Sequence, residues 1–439
     1  MSALPSSAAA AGAASARAGS GVGAWGLAPW FFGALVLLAL PWVFSSGASL
    51  TMMSLMGFAI IFALSYNMLL GQAGMLSFGH AVYYGLGGFI TAHALNVIGS
   101  GKWSVPLPVL PLVGGLAGLT FALIFGWVST KRAGTAFAMI SLGIGELVAA
   151  SSLILRGFFG GEGGISANRT ATLKLFGLNF GPQIQVYYLI AAWCLLCIAA
   201  MYAFTRTPLG RMCNAVRENP ERAEFVGYST QMVRFIAFCT SGFFAGVAGG
   251  LAAIHYEIVT SSMVGAGPSG FVLLMAYIGG IGFFIGPIIG AILMTALQIS
   301  LSDYTGAWLL YVGLMFVVVV MYAPGGLAGL LLMHRPLLRR AAWTRLAPAY
   351  ALAALPVAML VVGLVALIET SHHLLVKAAD GPAMRLFDVA YEATSPLAWG
   401  VIALLIGVGG LALRRLAPRV SAAWHEALGQ ALGRAKDKP

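Results

Sequence analysis

The amino-acid sequence predicts an all-α, polytopic integral membrane protein with about 10–12 transmembrane helices, some of them re-entrant or broken at glycines. The first observation is composition: 60% of the 439 residues are hydrophobic and 8% are charged, whereas soluble domains carry about 25% charged residues. The second is that apolar runs of about 20 residues, the length that spans a bilayer as a helix, repeat along the chain. The third is the presence of 57 glycines, which suit close helix packing and interrupted helices in a membrane.

The apolar runs define the predicted spans, and glycines interrupt the longest of them. Gly279, Gly280, Gly282 and the pair Gly286-Pro287 fall inside the run 269–301. The predicted spans are 25–44, 50–70, 79–97, 107–128, 134–155, 186–204, 235–256, 269–301, 308–333, 349–368 and 397–413. Residues 1–23, rich in Ala, Ser and Gly with Arg17 as their single charge, are predicted to form a flexible cytoplasmic tail.

The densest group of charges between apolar runs is the segment 206–234, here called the two-helix loop. Its arginines and glutamates are too costly to place in hydrocarbon, and Arg-rich loops lie on the cytoplasmic side of a membrane. With this loop in the cytoplasm, most of the 24 Lys and Arg residues fall on the same side only if 269–301 enters and leaves at the outer face. We therefore expect that run to be a re-entrant pair, or two short helices that turn at 279–287.

The two-helix loop carries the start and stop signals of two short helices. Leu209–Glu218 can form the first helix. Asn219 then supplies an N-cap and Pro220 the first position of the second helix. Gly227 is a left-handed stop, and Ser229 or Thr230 can cap the apolar helix that follows. Two helices that project from the membrane indicate a docking site rather than an ordinary basic loop.

A second glycine-rich interruption lies at 71–79 and carries Gln72, Ser77 and, directly after it, His80 between apolar runs. Its glycine spacing is similar to that of the interruption near Gly279. Paired interrupted segments in a transporter point to a central pathway. His80 has two open interpretations, as a packing residue near the inner boundary or as part of a gate or pathway lining.

Glu146 is the acidic residue that falls inside a predicted span. A carboxyl group at that depth is a candidate functional residue. Two interpretations stay open: it lines a pathway, or it hydrogen-bonds a neighbouring helix and holds the bundle together. If it binds a proton or an ion, the chain is an ion-coupled secondary transporter.

Other function classes find little support in the sequence. The net charge of +11 follows from the orientation bias of Lys and Arg and does not require nucleic acid. Cys194 and Cys197 lie within an apolar helix, which is unsuited to a redox or metal site. Ser269 lacks a histidine at its depth and is better explained as a helix N-cap than as a protease nucleophile. No ATP-binding motif is visible, so we expect no cofactor in this chain and no enzyme activity; a passive channel is a further alternative.

Four blocks of sequence, in order, resemble the LivM-type permeases of branched-chain amino-acid importers powered by ATP-binding cassettes. The blocks are NMLLGQAG (67–74) with LSFGH (76–80), TPLGR (207–211) with AVREN (215–219), YIGGIG (277–282) with GP (286–287), and APGGL (323–327). The resemblance covers residues from about 66 to 330. It assigns 24–334 to the permease domain and leaves 335–439, with two further spans and a basic cytoplasmic tail, as an extension outside the pattern.

The resemblance implies partners and roles that spacing does not reveal. Such permeases pair with a second related permease of the LivH type, two cytoplasmic ATPases that hydrolyse the ATP, and a periplasmic substrate-binding protein. The implied location is the bacterial inner membrane, with cytoplasmic termini. The two-helix loop is expected to contact an ATPase through Arg211, Arg217, Glu218, Asn219, Ala223 and Gly227. The translocation pathway is expected to include Gln72, Ser77, His80, Glu146, Gly279, Gly280 and Gly282. The implied substrate is a branched-chain or hydrophobic amino acid, or a small solute such as urea or an amide.

Overall fold

The computed structural model describes residues 24–173, 179–339, 343–376 and 381–436. The tail predicted for residues 1–23 lies outside these residues. The described chain is mostly helical, as predicted. Its helices are α1 (Ala24–Val43), α2 (Gly47–Asn67), α3 (Ala81–Gly99), α4 (Leu110–Ser129), α5 (Thr135–Ile154), α6 (Arg156–Phe159), α7 (Gln183–Arg206), α8 (Pro208–Glu218), α9 (Pro220–Phe225), α10 (Thr230–Tyr256), α11 (Ala266–Gly279), α12 (Gly286–Tyr304), α13 (Trp308–Tyr322), α14 (Gly326–Arg339), α15 (Trp343–Val376) and α16 (Pro396–Lys436).

The described chain also contains two small antiparallel sheets, which the sequence did not predict. In one, β1 (Ile165–Ser166) pairs with β2 (Ile258–Val259). In the other, β3 (Ala383–Leu386) and β4 (Val389–Glu392) form a hairpin between α15 and α16. Helix α2 also continues beyond its α-helical part as a π-helix over Met68–Gln72.

Within the described residues, nine helices are long and apolar enough to span a membrane, and one bent helix pair passes as a tenth span. This confirms a polytopic membrane protein. Two further apolar segments, Trp30–Val43 and Ala266–Gly279, are shorter than a full span. The most deeply buried spans are α3 and α10, at 78% and 72% of their apolar windows, so the core of the bundle lies around these two helices.

The interrupted run 269–301 folds as two helices, of which α12 is not short but long enough to span a membrane. Helix α11 ends at Gly279, and α12 begins at Gly286. The two helices pack against each other through backbone contacts of Gly279 with Gly286 and Gly290. Gly280 ends α11 with φ +113°, a backbone conformation that residues with a Cβ rarely adopt.

The span predicted over 308–333 is present as a bent pair of helices that together are long and apolar enough to cross a membrane. The segment is two helices, α13 and α14, that meet at an angle of 49°. Pro324 explains the break, because a proline inside a helix removes a hydrogen-bond donor and clashes with the preceding turn. Gly326 follows with φ +63° and begins α14.

The extension forms a helical hairpin in which α15 and α16 pack mainly on each other. Each has 11% of its apolar window buried. The hairpin touches the rest of the bundle near both of its ends. The Tyr311 hydroxyl donates a hydrogen bond to Glu369 at 2.8 Å, and His334 packs edge-on against Trp424 at 4.9 Å between ring centroids. The two spans that the sequence predicts beyond residue 345 are therefore present as helices.

Candidate functional site

The two-helix loop has the local structure that its sequence predicts. The Asn219 side chain caps α9 by accepting a hydrogen bond from the Arg222 amide at 2.9 Å. Gly227 has φ +90° and ends the second short helix. Ser229 caps α10 by accepting a hydrogen bond from the Met232 amide at 3.3 Å. A cap that was not predicted is Thr207, whose hydroxyl accepts a hydrogen bond from the Gly210 amide at the start of α8.

Helix α8 has one buried face and one exposed face. Cys213 and Val216 are buried against the bundle, and burial raises the pKa of the Cys213 thiol to about 11. Arg211 and Glu218 lie on the exposed face. Ala223, which the resemblance assigned to an ATPase contact, is a buried residue of α9.

The tip of the two-helix loop exposes apolar side chains that sequence reasoning missed. Phe225 is 91% exposed and Val226 is 70% exposed, at the end of α9. They lie in the most polar segment of the chain, where lipid does not account for an exposed aromatic ring. Exposed apolar groups with a polar rim mark protein interaction sites. In the sequence, Phe225 and Val226 form a short apolar pair without helical periodicity, so their exposure becomes visible only with the fold.

Helix α8 contacts the π-helix at 68–72. The Arg217 guanidinium donates a hydrogen bond to the Gly71 carbonyl, and the Asn214 amide donates to the Gln72 side chain at 2.9 Å. The Gly71 carbonyl belongs to a π-helix, which is commonly found at functional sites. Gln72 and Arg217 were assigned from sequence to two different sites. Both lie in the same contact region between α8 and the π-helix.

Three interrupted helix segments come together next to the contact between α8 and the π-helix. A Cβ placed on Gly71 would lie 2.8 Å from the Ile281 carbonyl oxygen, in the turn between α11 and α12. Gly280 in the same turn touches the backbone of Gly325 and Gly326, at the bend between α13 and α14. We call these segments, 68–72, 280–285 and 323–326, the break cluster. Gly279 and Gly280 are part of these contacts, whereas Gly282 is exposed, with no atom within 4 Å of a Cβ built on it.

A column of buried aromatic and polar side chains rises from the break cluster along α2. His80 shares a hydrogen bond of 2.9 Å with the Ser65 hydroxyl through Nε2 and stacks on Phe62 at 5.4 Å between ring centroids. Phe62 in turn contacts Tyr84 at 4.6 Å. His80 Nδ1 and Ser77 Oγ are buried without a hydrogen-bond partner among the described residues. Buried polar atoms in this condition are uncommon in folded proteins, so each of them calls for an explanation.

Above the column lies a cavity of about 800 Å³. Phe62 and Tyr84 form part of its wall, together with apolar side chains of α2, α11 and α13. The polar groups in its lining come from Thr260, Ser262, Thr295, Gln298, Ser302 and Asp303. A mostly apolar cavity with a few polar groups is the typical form of a small-molecule site. None of the pathway residues proposed from sequence lines this cavity; His80 reaches it only through Phe62.

The end of the bundle opposite the two-helix loop is closed by a buried arginine. The Arg169 side chain, 11% exposed, donates hydrogen bonds to the carbonyls of Phe180, Gly181 and His255. Its backbone amide donates to the Glu257 carboxylate at 3.0 Å. The two residues after Glu257 form strand β2, which pairs with β1. Thr260 follows β2 and lies in the cavity wall. Arg169 therefore fastens the rim of the cavity at this end of the bundle.

Replacing Arg169 by lysine is expected to loosen this rim. Lysine keeps the charge but presents its donors at a single point, so it cannot reach three separate carbonyls as the planar guanidinium does. Each lost charged hydrogen bond is worth about 1.5–3 kcal/mol, so we expect a thermal midpoint in detergent several degrees below that of the parent. Lys102→Ala, an exposed charge at the same end, serves as the control. Equal midpoints for the two variants would show that the Arg169 contacts do not hold the rim.

The structure does not support Glu146 as a fastener of the bundle or Ser269 as a helix N-cap. Glu146 is exposed on α5, and no described residue donates a hydrogen bond to it, so it does not fasten the bundle internally. Ser269 does not cap α11, which begins at Ala266. Its hydroxyl lies inside the first turn and accepts a hydrogen bond from the Ala81 amide at 3.0 Å, so it fastens the start of α3.

No group of three or more His, Cys, Asp or Glu among the described residues has the arrangement to hold a metal ion.

A many-helix membrane bundle with broken helices, a partly open cavity and a short helical loop defines a membrane permease as its class. Sequence comparison then supplies the family: the profile of the family described as branched-chain amino acid transport system / permease component matches residues 48–324. The chain belongs to this family. It is accordingly a multi-pass transport subunit of a bacterial-type system and not an enzyme.

Curated relatives support the assignment. The chain is 29% identical over 331 residues to the high-affinity branched-chain amino acid transport system permease protein LivM of Escherichia coli K12, covering 70% of this chain and 76% of LivM. It is 24% identical over 285 residues to BraD of Pseudomonas aeruginosa, covering 61% of this chain and 91% of BraD. It is also 26% identical over 208 residues to a probable LivH of Methanocaldococcus jannaschii, covering 46% of this chain and 64% of LivH. No solved structure matches the chain significantly.

Proposed function

We propose that the chain is a transmembrane permease subunit of an ATP-binding-cassette importer in the bacterial inner membrane, with both termini in the cytoplasm. It moves branched-chain or hydrophobic amino acids, or a related small solute such as urea or an amide, into the cytoplasm. Its partners are a second related permease of the LivH type, two cytoplasmic ATPases and a periplasmic substrate-binding protein. The observation that carries this proposal is the contact between α8 and the π-helix, made by Arg217 and Gly71.

The two-helix loop is the proposed ATPase docking site. Arg211 and Glu218 offer exposed charges on α8, and Phe225 offers an exposed ring at the tip of α9. Aromatic side chains that fill a partner's pocket often dominate the binding energy of an interface. Asn219, Ala223 and Gly227 serve this site indirectly, as the cap, the buried spacer and the stop that give α9 its position.

Transmission from the ATPases to the pathway is proposed to run through the break cluster. A displacement of α8 moves Arg217 and Asn214, and with them the π-helix at 68–72. Helix segments that meet at glycines can shift relative to each other, because few side chains interlock there. Ser77 and His80, with their unpaired buried atoms, are the groups expected to gain partners when the column rearranges and the cavity changes its accessible side.

The cavity is the proposed outward-facing substrate site. Its apolar wall suits an aliphatic side chain, and Gln298, Thr295 and Asp303 offer hydrogen bonds to the ammonium and carboxylate groups of an amino acid. The volume of about 800 Å³ exceeds that of any single amino acid. Such a site selects poorly by shape, which leaves selection to the binding protein.

The alternative function, an ion-coupled secondary transporter, rests on Glu146. Its exposed carboxylate in an apolar helix is the observation that favours it. The column between the cavity and the two-helix loop does not include Glu146, so an ion bound there would act away from the proposed substrate path.

Uptake into vesicles that contain this chain, its second permease and the two ATPases tests the proposal. We expect accumulation of radiolabelled leucine that requires ATP on the ATPase side and the binding protein on the other, and that survives a protonophore. A catalytically inactive ATPase variant is the matched control. Uptake that persists with that variant and stops with the protonophore would instead establish the ion-coupled alternative.

A further inference from the structure

One charged helix face is left unused by the site and by the proposed mechanism. Glu146 lies near the middle of α5, about 16 Å from Thr135 and about 12 Å from Ile154 at the rise of an α-helix. Helix α5 is one of the candidate membrane spans, and 33% of its apolar window is buried in the bundle. The carboxylate therefore sits at a depth where hydrocarbon would surround an uncovered side chain.

The rotation of α5 is fixed by contacts on its opposite side. The Phe78 amide donates a hydrogen bond to the Ser141 hydroxyl at 3.0 Å. Gly145 lies so close to Gly79 that a Cβ on it would be 3.3 Å from the Gly79 Cα. Successive residues of a helix are about 100° apart around its axis. With Ser141 and Gly145 held inward, Glu146 has to point away from the bundle.

The outward face of α5 differs from faces that suit lipid. It carries Met139, Gly143, Glu146, Leu147 and Ala150, which recur at spacings of three and four residues. We call these five residues the Glu146 face. A Cβ built on Gly143 meets no atom within 4 Å, so another helix backbone can approach there closely.

Two other parts of the chain show the contrast. The exposed face of α4 presents large apolar and aromatic side chains, such as Leu116 and Leu123, and no acid. Glu369, an acid within the apolar helix α15 of the extension, receives a hydrogen bond from the Tyr311 hydroxyl. Glu146 receives none from the described residues, and intramembrane carboxyl groups are found against protein or water rather than lipid.

We propose that the Glu146 face binds the second permease subunit, which donates a hydrogen bond to the Glu146 carboxylate across the interface. This inference rests on the proposed function, since it requires that subunit. A donor at mid-membrane depth has to come from a protein that spans the membrane. Of the proposed partners, the ATPases and the binding protein stay outside the bilayer, so the second permease is the partner that reaches Glu146.

Photo-crosslinking locates the interface. A photoreactive amino acid replaces Leu147, which is 61% exposed on the Glu146 face, or, as the matched control, Leu123, which is 45% exposed on α4. The chain is co-expressed with its second permease and irradiated in native membranes. We expect an adduct with the second permease from position 147 and not from position 123. An adduct from position 123 alone, or an adduct of two copies of this chain, would overturn the inference.

Two substitutions test the carboxylate itself. Glu146→Gln keeps a hydrogen-bond acceptor and is expected to retain the second permease within about twofold of the parent in a pull-down, whereas Glu146→Leu is expected to lose it by about tenfold, the effect of one good hydrogen bond. Because Glu146 has no partner inside the described chain, Glu146→Leu breaks no internal contact; monodisperse elution of the isolated subunit confirms its folding. If Glu146→Leu retains the second permease at the level of the parent, the carboxylate has no interface role.

The behaviour of the unsubstituted chain distinguishes a failure of the proposed function from a failure of the interface inference. If the parent does not co-purify with a second permease, the proposed function itself fails. If the parent co-purifies but position 147 gives no adduct with that subunit, the importer assignment stands and the interface lies on another face.

Discussion

Replacing Arg217 by alanine is expected to uncouple ATP hydrolysis from transport. The Arg217 guanidinium holds the Gly71 carbonyl of the π-helix, and its loss removes a charged hydrogen bond worth about 1.5–3 kcal/mol. That corresponds to a fall in uptake of about 10- to 150-fold. Because the ATPases are proposed to dock on other residues of the two-helix loop, we expect ATP hydrolysis by the assembled importer to change by less than about twofold. Both rates are measured in the same vesicles.

Three further variants separate transmission from docking. Arg217→Lys keeps the charge without the planar fork and is expected to fall between the parent and alanine. Asn214→Ala removes the neighbouring bond to Gln72; combined with Arg217→Ala it should add less than its separate effect, because both bonds act on one segment. Arg222→Ala, an exposed arginine of the same loop, is the control. If Arg217→Ala lowers ATP hydrolysis and uptake in equal proportion, Arg217 serves docking and the transmission route is wrong.

The parts of the fold that sequence reasoning found are those set by local chemistry. Asn219, Pro220, Gly227 and Ser229 act on the backbone within a few residues of themselves, so their positions alone predicted both short helices. Apolar length predicted most spans, and the charge balance required 269–301 to turn back. The bend at Pro324 was missed although its signal was present, because the apolar run continues on both sides of it.

The arrangement of the site depends on contacts that no local pattern encodes. Arg217 meets Gly71 across 146 residues of sequence, and helical periodicity tells which face of a helix is buried without telling against which helix. The convergence of the three interruptions follows from how α2, α11 and α13 pack. For the same reason the sequence left Glu146 with two interpretations, and the rotation of α5 removed the one in which it fastens the bundle. The assignments of individual residues to ATPase contact and pathway remain predictions.

Replacing Phe225 by aspartate is expected to release the ATPases from the membrane complex. Phe225 is 91% exposed at the tip of α9, and truncation of an aromatic anchor in an interface costs at least about 2 kcal/mol. Affinity should therefore fall by about 30-fold or more, seen as loss of the ATPases from a pull-down of this chain. Phe225→Leu, which keeps an apolar side chain, should retain a measurable part of the binding.

A matched control is available at the opposite end of the bundle, where Tyr304 is 88% exposed. Tyr304→Asp makes the same kind of change away from the two-helix loop, so the ATPases should remain bound. Since Phe225 is almost fully exposed, its replacement removes little internal packing, and reduced binding would reflect the interface rather than unfolding. Retention of the ATPases by Phe225→Asp would exclude the tip of α9 as their anchor and move the docking surface to the charged face of α8, with Arg211 and Glu218 as the next residues to test.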